Sequence, residues 1–473
     1  MMLRTLAQLV ALGAVLGVAA YQYGGVREQD WLPCLLAIGI VGWAAWIRPA
    51  RGPRLPSMPL YLRIPLLLLP VFLVFQLVPL PVRALRLLSP ARAELAEGLG
   101  QLSGGAFSAP LSVMPYATLS QLLRLAGYIV VFLVVREALF RLKDQPWLVA
   151  VPLIVIGGFE AVLGILQFSP DEADPASGLA RGTYVNRNHF AGLLEMALPF
   201  MFLGAVVLFK RSQVPGFPRS RLLFGSAAMG AVALATVFAV VQSLSRMGFV
   251  AAICGLLAVC AFLIRSETPG TGRRFAPVAY FAGIVVLVMC AVAVFSPSRL
   301  LNRIATSASG QDLSSETRLA IWRDTIGLIR AYPMLGCGAG AYEFAMPRYK
   351  SALPIATADF AHNDYLQGAA ELGGVGLAVV LFFLAGLLAA AVRVAIAEDN
   401  PEVRALAVAC VGAMTAILLH SLTDFNLYVP ANGLLLSWIA GIAAGLPHVA
   451  HQALPVISMG GHLVIDVKPI GVR

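Results

Sequence analysis

Long apolar runs, each of about 17 to 25 residues and repeated along most of the chain, constrain this sequence more than any other feature. A helical run of that length matches the hydrocarbon thickness of a bilayer. Inside hydrocarbon, only helices or closed barrels satisfy every backbone polar group. The runs lie near 5–22, 31–47, 60–80, 118–135, 147–167, 190–209, 222–242, 247–264, 276–295, 373–392, 405–420 and 431–446. The expected fold is therefore an all-α polytopic membrane protein of about twelve transmembrane helices. Of 473 residues, 59% are hydrophobic and only 12% charged, too little polar surface to cover a soluble fold of this length. Pro65 and Pro70 fall inside the third run and predict a kink or a re-entrant segment there. The first run, between Arg4 and the small residues Ala19 and Ala20, has the outline of a cleavable signal, but the further runs behind it favour a retained span.

The net charge of +10 reports topology rather than nucleic-acid binding. Alternate loops carry Arg4; Arg48, Arg51, Arg54 and Arg63; Arg136, Arg141 and Lys143; Lys210, Arg211, Arg219 and Arg221; Arg265, Arg273 and Arg274; and Arg393 with Arg404. These loops are expected in the cytoplasm, together with both termini, which puts the intervening loops on the periplasmic face of a bacterial inner membrane. The expected organisation is nine transmembrane helices over 1–295, a large periplasmic loop with amphipathic helices over 296–361, three more spans over 362–446, and a cytoplasmic tail over 447–473. Six cysteines give no disulfide frame and no zinc-type spacing.

The unusual polar clusters all fall in the outer loops. Phe360 to Gln367 closes the largest loop and opens an apolar helix with His362, Asn363, Asp364 and Tyr365. Asn363, Gln367 and Glu371 then share one helical stripe. Asn363 and Asp364 would serve equally as ordinary helix caps. Arg187 and Asn188 precede another apolar helix, where free amides and the helix dipole favour an anion. The plainer reading is capping by Asn188 beside a snorkelling arginine, with His189 structural. Arg246 sits in a very short loop between two spans, a costly place unless it faces a polar cavity. In the large loop, Leu319, Trp322, Ile326 and Ile329 predict an amphipathic helix capped by Ser314 or Ser315, with Arg318 in its first turn and Pro333 as its stop. Gly336, Gly338 and Gly340 lie in no strand-helix context and read as a turn. The outer loop over 81–117 reads as one amphipathic interfacial helix, and His420 and Asp424 add an imidazole and a carboxylate to the same face.

Arginines that hold phosphate oxygens, with a histidine able to take a hydroxyl proton, suit transfer from an anionic leaving group. The segments Asn186 to Gly192, Ser245 to Gly248, Arg318 with Trp322 and the 333–340 turn, and His362 to Leu366 with Glu371 and Gly374 together resemble the O-antigen ligase and polymerase superfamily of bacterial membrane glycosyltransferases. The resemblance implies a metal-independent, inverting transfer of a glycan from an undecaprenyl-diphosphate carrier, with no cofactor. The acceptor is a lipid A core sugar for a ligase, or a second lipid-linked glycan for a polymerase. It further implies His362 as general base; Arg246, Arg187 and Arg318 on the diphosphate; and Asn363, Tyr365, Asn188 and Glu371 around the acceptor or behind His362. A transporter or flippase of lipid-linked sugars is the competing class, since about twelve helices suit it too. Its expected internal repeat and midplane charges are absent from the sequence, and ligase and polymerase stay unresolved.

Overall fold

The computed structural model describes residues 2–47, 55–104, 108–167, 179–265, 313–351 and 358–450. These form α1 (Met2–Tyr21), α2 (Glu28–Ile47), α3 (Leu60–Leu77), α4 (Val82–Leu88), α5 (Pro90–Ser103), α6 (Pro115–Arg141), α7 (Val151–Gln167), α8 (Arg187–Ser212), α9 (Arg219–Gln242), α10 (Arg246–Arg265), α11 (Leu313–Ala331), α12 (Tyr342–Ala345), α13 (Asp364–Ala397), α14 (Pro401–His420) and α15 (Pro430–Val449). A two-residue antiparallel bridge pairs Leu80 with Ala109 and Pro81 with Ser108. Among the described residues, eleven helices are long and apolar enough to cross a membrane. They coincide with eleven of the twelve apolar runs. The run at 276–295, the start of the large loop and the C-terminal tail lie outside the described residues.

The chain is an all-α, multi-pass membrane protein. Its outer surface is apolar, with Leu36, Ile40 and Trp43 of α2 and Ile64, Leu67 and Val71 of α3 pointing outward at spacings of three and four. A soluble protein would not leave such stripes in water. By contrast α8, α14 and α15 are buried along most of their length and form the centre of the bundle. Small residues let these helices approach. Gly248 of α10 has no room for a side chain against Ala191 of α8, so the first turns of the two helices touch.

Three expectations are corrected locally. Helix α3 runs unbroken from Leu60 to Leu77 with both prolines inside it, as membrane helices tolerate. The 81–117 segment forms two helices, because the chain turns at Ser89 and Pro90 restarts it at the first position of α5. Helix α11 begins at Leu313, so Arg318 lies in its second turn rather than its first.

Helix α13 breaks at Gly373, whose φ of 65° and ψ of −176° are open only to glycine. Four of the groups freed by the break are taken up by one neighbouring loop. Cys337 and Gly338 donate to the carbonyls of Ala370 and Glu371 at 2.9 and 3.1 Å. In return Gly374 and Val375 donate to the carbonyls of Pro333 and Met334 at 2.8 and 3.1 Å. Gln76 of α3 seals the joint, donating to Leu335 and Glu371 carbonyls and accepting from the Ala339 amide. The three glycines at 336, 338 and 340 therefore belong to a turn that plugs a helix break.

Candidate active site

The starts of α8, α10, α13 and α15 meet the ends of α9 and α14 at one end of the bundle, where Gly248 abuts Ala191, Asn432 donates to the His189 carbonyl and the Asp364 amide donates to the Ser421 carbonyl. Two of the described non-glycine residues with left-handed backbone, Leu244 (φ 52°) and His362 (φ 49°), lie there. Such a conformation costs free energy and persists only where the surroundings enforce it. Leu244 lets the chain turn tightly between α9 and α10, after which Ser245 Oγ accepts from the Gly248 amide as a cap and α10 starts at Arg246. Asn186, not Asn188, caps α8 by accepting from the Asn188 amide, which makes Arg187 the first helical residue. Arg187 and Arg246, both half-buried, thus open adjacent helices.

His362 is held out of helical geometry by the residues on either side of it. The Trp322 indole of α11 donates to the Ala361 carbonyl at 2.9 Å. Asn363 caps α13, accepting from the amides of Tyr365 and Leu366, while its side-chain amide donates to the Leu422 carbonyl at 2.8 Å. The Asp364 amide donates to the Ser421 carbonyl, its carboxylate accepts from Ser421 Oγ at 2.7 Å, and the Tyr365 hydroxyl donates to the Leu418 carbonyl at 2.7 Å. The start of α13 is in this way fastened to the end of α14 and the turn after it. The polar atoms of Asn363 and Tyr365 serve that fastening.

At the centre of this end stands Asp424, whose side chain is 1% exposed. Its Oδ1 lies 3.4 Å from His362 Nδ1 and 3.6 Å from His189 Nε2, and accepts from its neighbour's amide, Phe425 N, at 2.9 Å. Its Oδ2 accepts from the Asn188 side chain at 2.5 Å and faces the Arg318 guanidinium at 3.5 Å. Burial pushes this carboxyl up, but the facing His189 and His362 rings and the Arg318 guanidinium outweigh it and hold it well below the usual carboxylate range. A buried carboxylate survives only when paired in this manner. Phe425 packs edge-on to both imidazoles and stacks on Phe360 with centroids 4.0 Å apart.

His362, Asn188 and Arg318 thus converge on one carboxylate. Glu371 does not reach His362: its carboxylate accepts from the Gly340 amide at 2.6 Å, the Tyr428 hydroxyl at 2.8 Å and Gln367 at 3.1 Å, which places it in the plugged helix break. Asp424 was visible in the sequence as a carboxylate of the last outer loop, yet nothing local distinguished it. A second pair escaped the sequence reading. Glu195 of α8 and His420 of α14, both fully buried, meet at 3.0 Å; a lone acid within an apolar run was the available signal. At the other end of the bundle, clefts of about 220 and 440 Å³ flank an Arg211–Glu402 ion pair. Their linings include none of the cluster around Asp424.

Residues 231–381 match the family model described as O-antigen ligase. That stretch is similar to an O-antigen ligase domain. The match supports a function of the general O-antigen ligase or polymerase type, with lipid-linked polysaccharide as the general kind of substrate. The O-antigen ligase match spans Arg246, Arg318, His362, Asn363, Tyr365 and Glu371. Arg187, Asn188, His189 and Asp424 lie outside it and join those residues only through the fold. No curated protein matches the chain.

Proposed function

We propose that the protein transfers a glycan from an undecaprenyl-diphosphate carrier to an acceptor hydroxyl at the periplasmic face of the inner membrane. The observation that supports this most is the convergence of His362, Asp424 and Arg318 at one end of a membrane bundle, beside two helices that open on arginines. With a proton on His362 Nδ1 facing Asp424, Nε2 is left as the base. It takes the acceptor hydroxyl proton as the oxygen attacks the anomeric carbon. The bond from that carbon to the diphosphate breaks on the opposite face, so configuration inverts. The electron pair leaves with the diphosphate, whose charge Arg246, Arg187 and Arg318 neutralise. Asn188, Asn363, Tyr365 and Glu371 act behind these groups, holding the helix starts and the loop in place.

The test is transfer from purified undecaprenyl-diphosphate oligosaccharide, offered separately to lipid A core and to a second lipid-linked repeat, with wild-type protein and His362→Ala side by side. Product on lipid A core that vanishes in the variant supports a ligase. Ladder growth on the lipid-linked repeat supports a polymerase with the same site. Folded wild-type protein that moves labelled donor across proteoliposomes, and forms no glycosidic bond with either acceptor, overturns the proposal in favour of a flippase.

A further inference from the structure

His189 has no part in the transfer just described, yet its Nε2 faces the same oxygen as the base. Asp424 Oδ1 has about two lone-pair positions. The Phe425 amide occupies one at 2.9 Å. Two imidazole nitrogens remain for the other, His362 Nδ1 at 3.4 Å and His189 Nε2 at 3.6 Å. Both distances exceed the roughly 2.7–2.9 Å of a full charge-assisted hydrogen bond. The carboxylate cannot turn to serve both rings, because Asn188 and Arg318 hold Oδ2. Nor can either ring tilt freely, since each rests edge-on against Phe425 with centroids 4.5 and 4.9 Å away. His189 is 6% exposed and its Nε2 has no hydrogen-bond partner among the described residues, whereas His362 is 32% exposed.

We infer that His189 is a positioning residue that competes with His362 for Asp424 Oδ1 and so sets the pH range over which His362 acts as a base. The inference rests on the reading of His362 as that base. While His189 shares the oxygen, an imidazolium at His362 is stabilised less than a sole imidazole partner would be. Once His362 has taken the acceptor proton on Nε2, Asp424 can tighten on the new cation at the expense of His189. The proton then leaves His362 for water, which restores the shared arrangement.

On α8 and the elements packed against it near His189, the ionisable groups are Arg187 and Glu195 of α8, Glu160 of α7, Arg246 of α10 and His420 of α14, with Asp424 just beyond the end of α14. Of these, Asp424 lies 3.6 Å from the His189 ring.

The test is the pH dependence of kcat/KM for wild type, His189→Gln, Asp424→Asn and the double variant, with His362→Ala as the control. In His189→Gln the acid limb moves to higher pH by about one unit, the size expected when one imidazole rather than two faces Oδ1. In Asp424→Asn it moves to lower pH, and adding His189→Gln moves it no further. A purely structural role for His189 would lower the plateau while leaving the limb at its wild-type position, and that result overturns the inference. If His189→Gln does not give monodisperse protein, His189→Asn carries the same expectation. Should His362→Ala keep the wild-type rate, the assignment of the base has failed. Should it lose activity while His189→Gln leaves the limb unmoved, the inference alone has failed.

Discussion

His362 sits where its backbone is least comfortable and its side chain most constrained, with a left-handed φ and a ring between Phe425 and Asp424. Replacing it with alanine removes only the imidazole, so the expected loss of kcat is that of a general base, about 100- to 10,000-fold, with the protein still folded. Asp424→Asn is expected to cost less in rate and more in stability, because His189, His362, Asn188 and Arg318 all lose part of their partner. The pH dependence has a definite sign. The folded value of the Asp424 carboxyl lies well below its ordinary 3.8, so its stabilisation is fully present above that ordinary value and is lost as pH falls through the folded one. Thermal unfolding in detergent should therefore show a wild-type advantage over Asp424→Asn that is constant from neutrality to about pH 5 and shrinks in stronger acid. An advantage that vanished between pH 7 and 5 would contradict this assignment.

At the scale of elements, the break in α13 is the feature most exposed to test. Gly373→Ala places a Cβ against the Met334 carbonyl and forces a non-glycine residue into a glycine-only conformation, at a cost of roughly 1–3 kcal/mol. Gln76→Ala leaves two carbonyls and one amide short of a partner, for a similar cost, and both effects are read as a lower unfolding temperature. The spans themselves were legible because each is decided within one run by hydropathy and length. The cap at Asn363 was legible for the same local reason, whereas the stripe of Leu319, Trp322, Ile326 and Ile329 is not the packed face of α11, since Leu319 and Ile326 are exposed and Ile321, Thr325 and Leu328 are buried. What could not be read were pairings across the chain. Nothing in Pro333 to Gly338 announces Ala370 to Val375, and nothing in Asp424 announces Asn188, His189 and Arg318. Tyr365 and Glu371 carried polar groups suited to a substrate, and the fold gives those groups to Leu418 and to Gly340 with Tyr428.

The whole molecule is a bundle with short basic loops at one end and its polar knot at the other. Arg136, Lys210, Arg211, Arg219 and Arg404 stand at the end remote from Asp424. That asymmetry predicts an orientation in the membrane. A cysteine at exposed Leu422, beside the knot, should react with an impermeant maleimide in intact spheroplasts, whereas one at exposed Arg219 should react only after permeabilisation. The reverse labelling would invert the topology. Charge neutralisation by arginine also predicts that a strong chelator leaves transfer unchanged. Loss of activity that added magnesium restores would remove the arginines from that role.

The exchange of four backbone hydrogen bonds between 333–338 and 370–375 also governs which pieces of this protein can be traded. A chimera that imports the loop over 313–351 from a relative, to alter what the enzyme accepts, would leave the old helix facing a foreign plug unless 364–376 travels with it. The two stretches are separate in sequence and one part in assembly. Recombination, natural or engineered, should succeed where the crossover points lie outside both and fail where one falls between them.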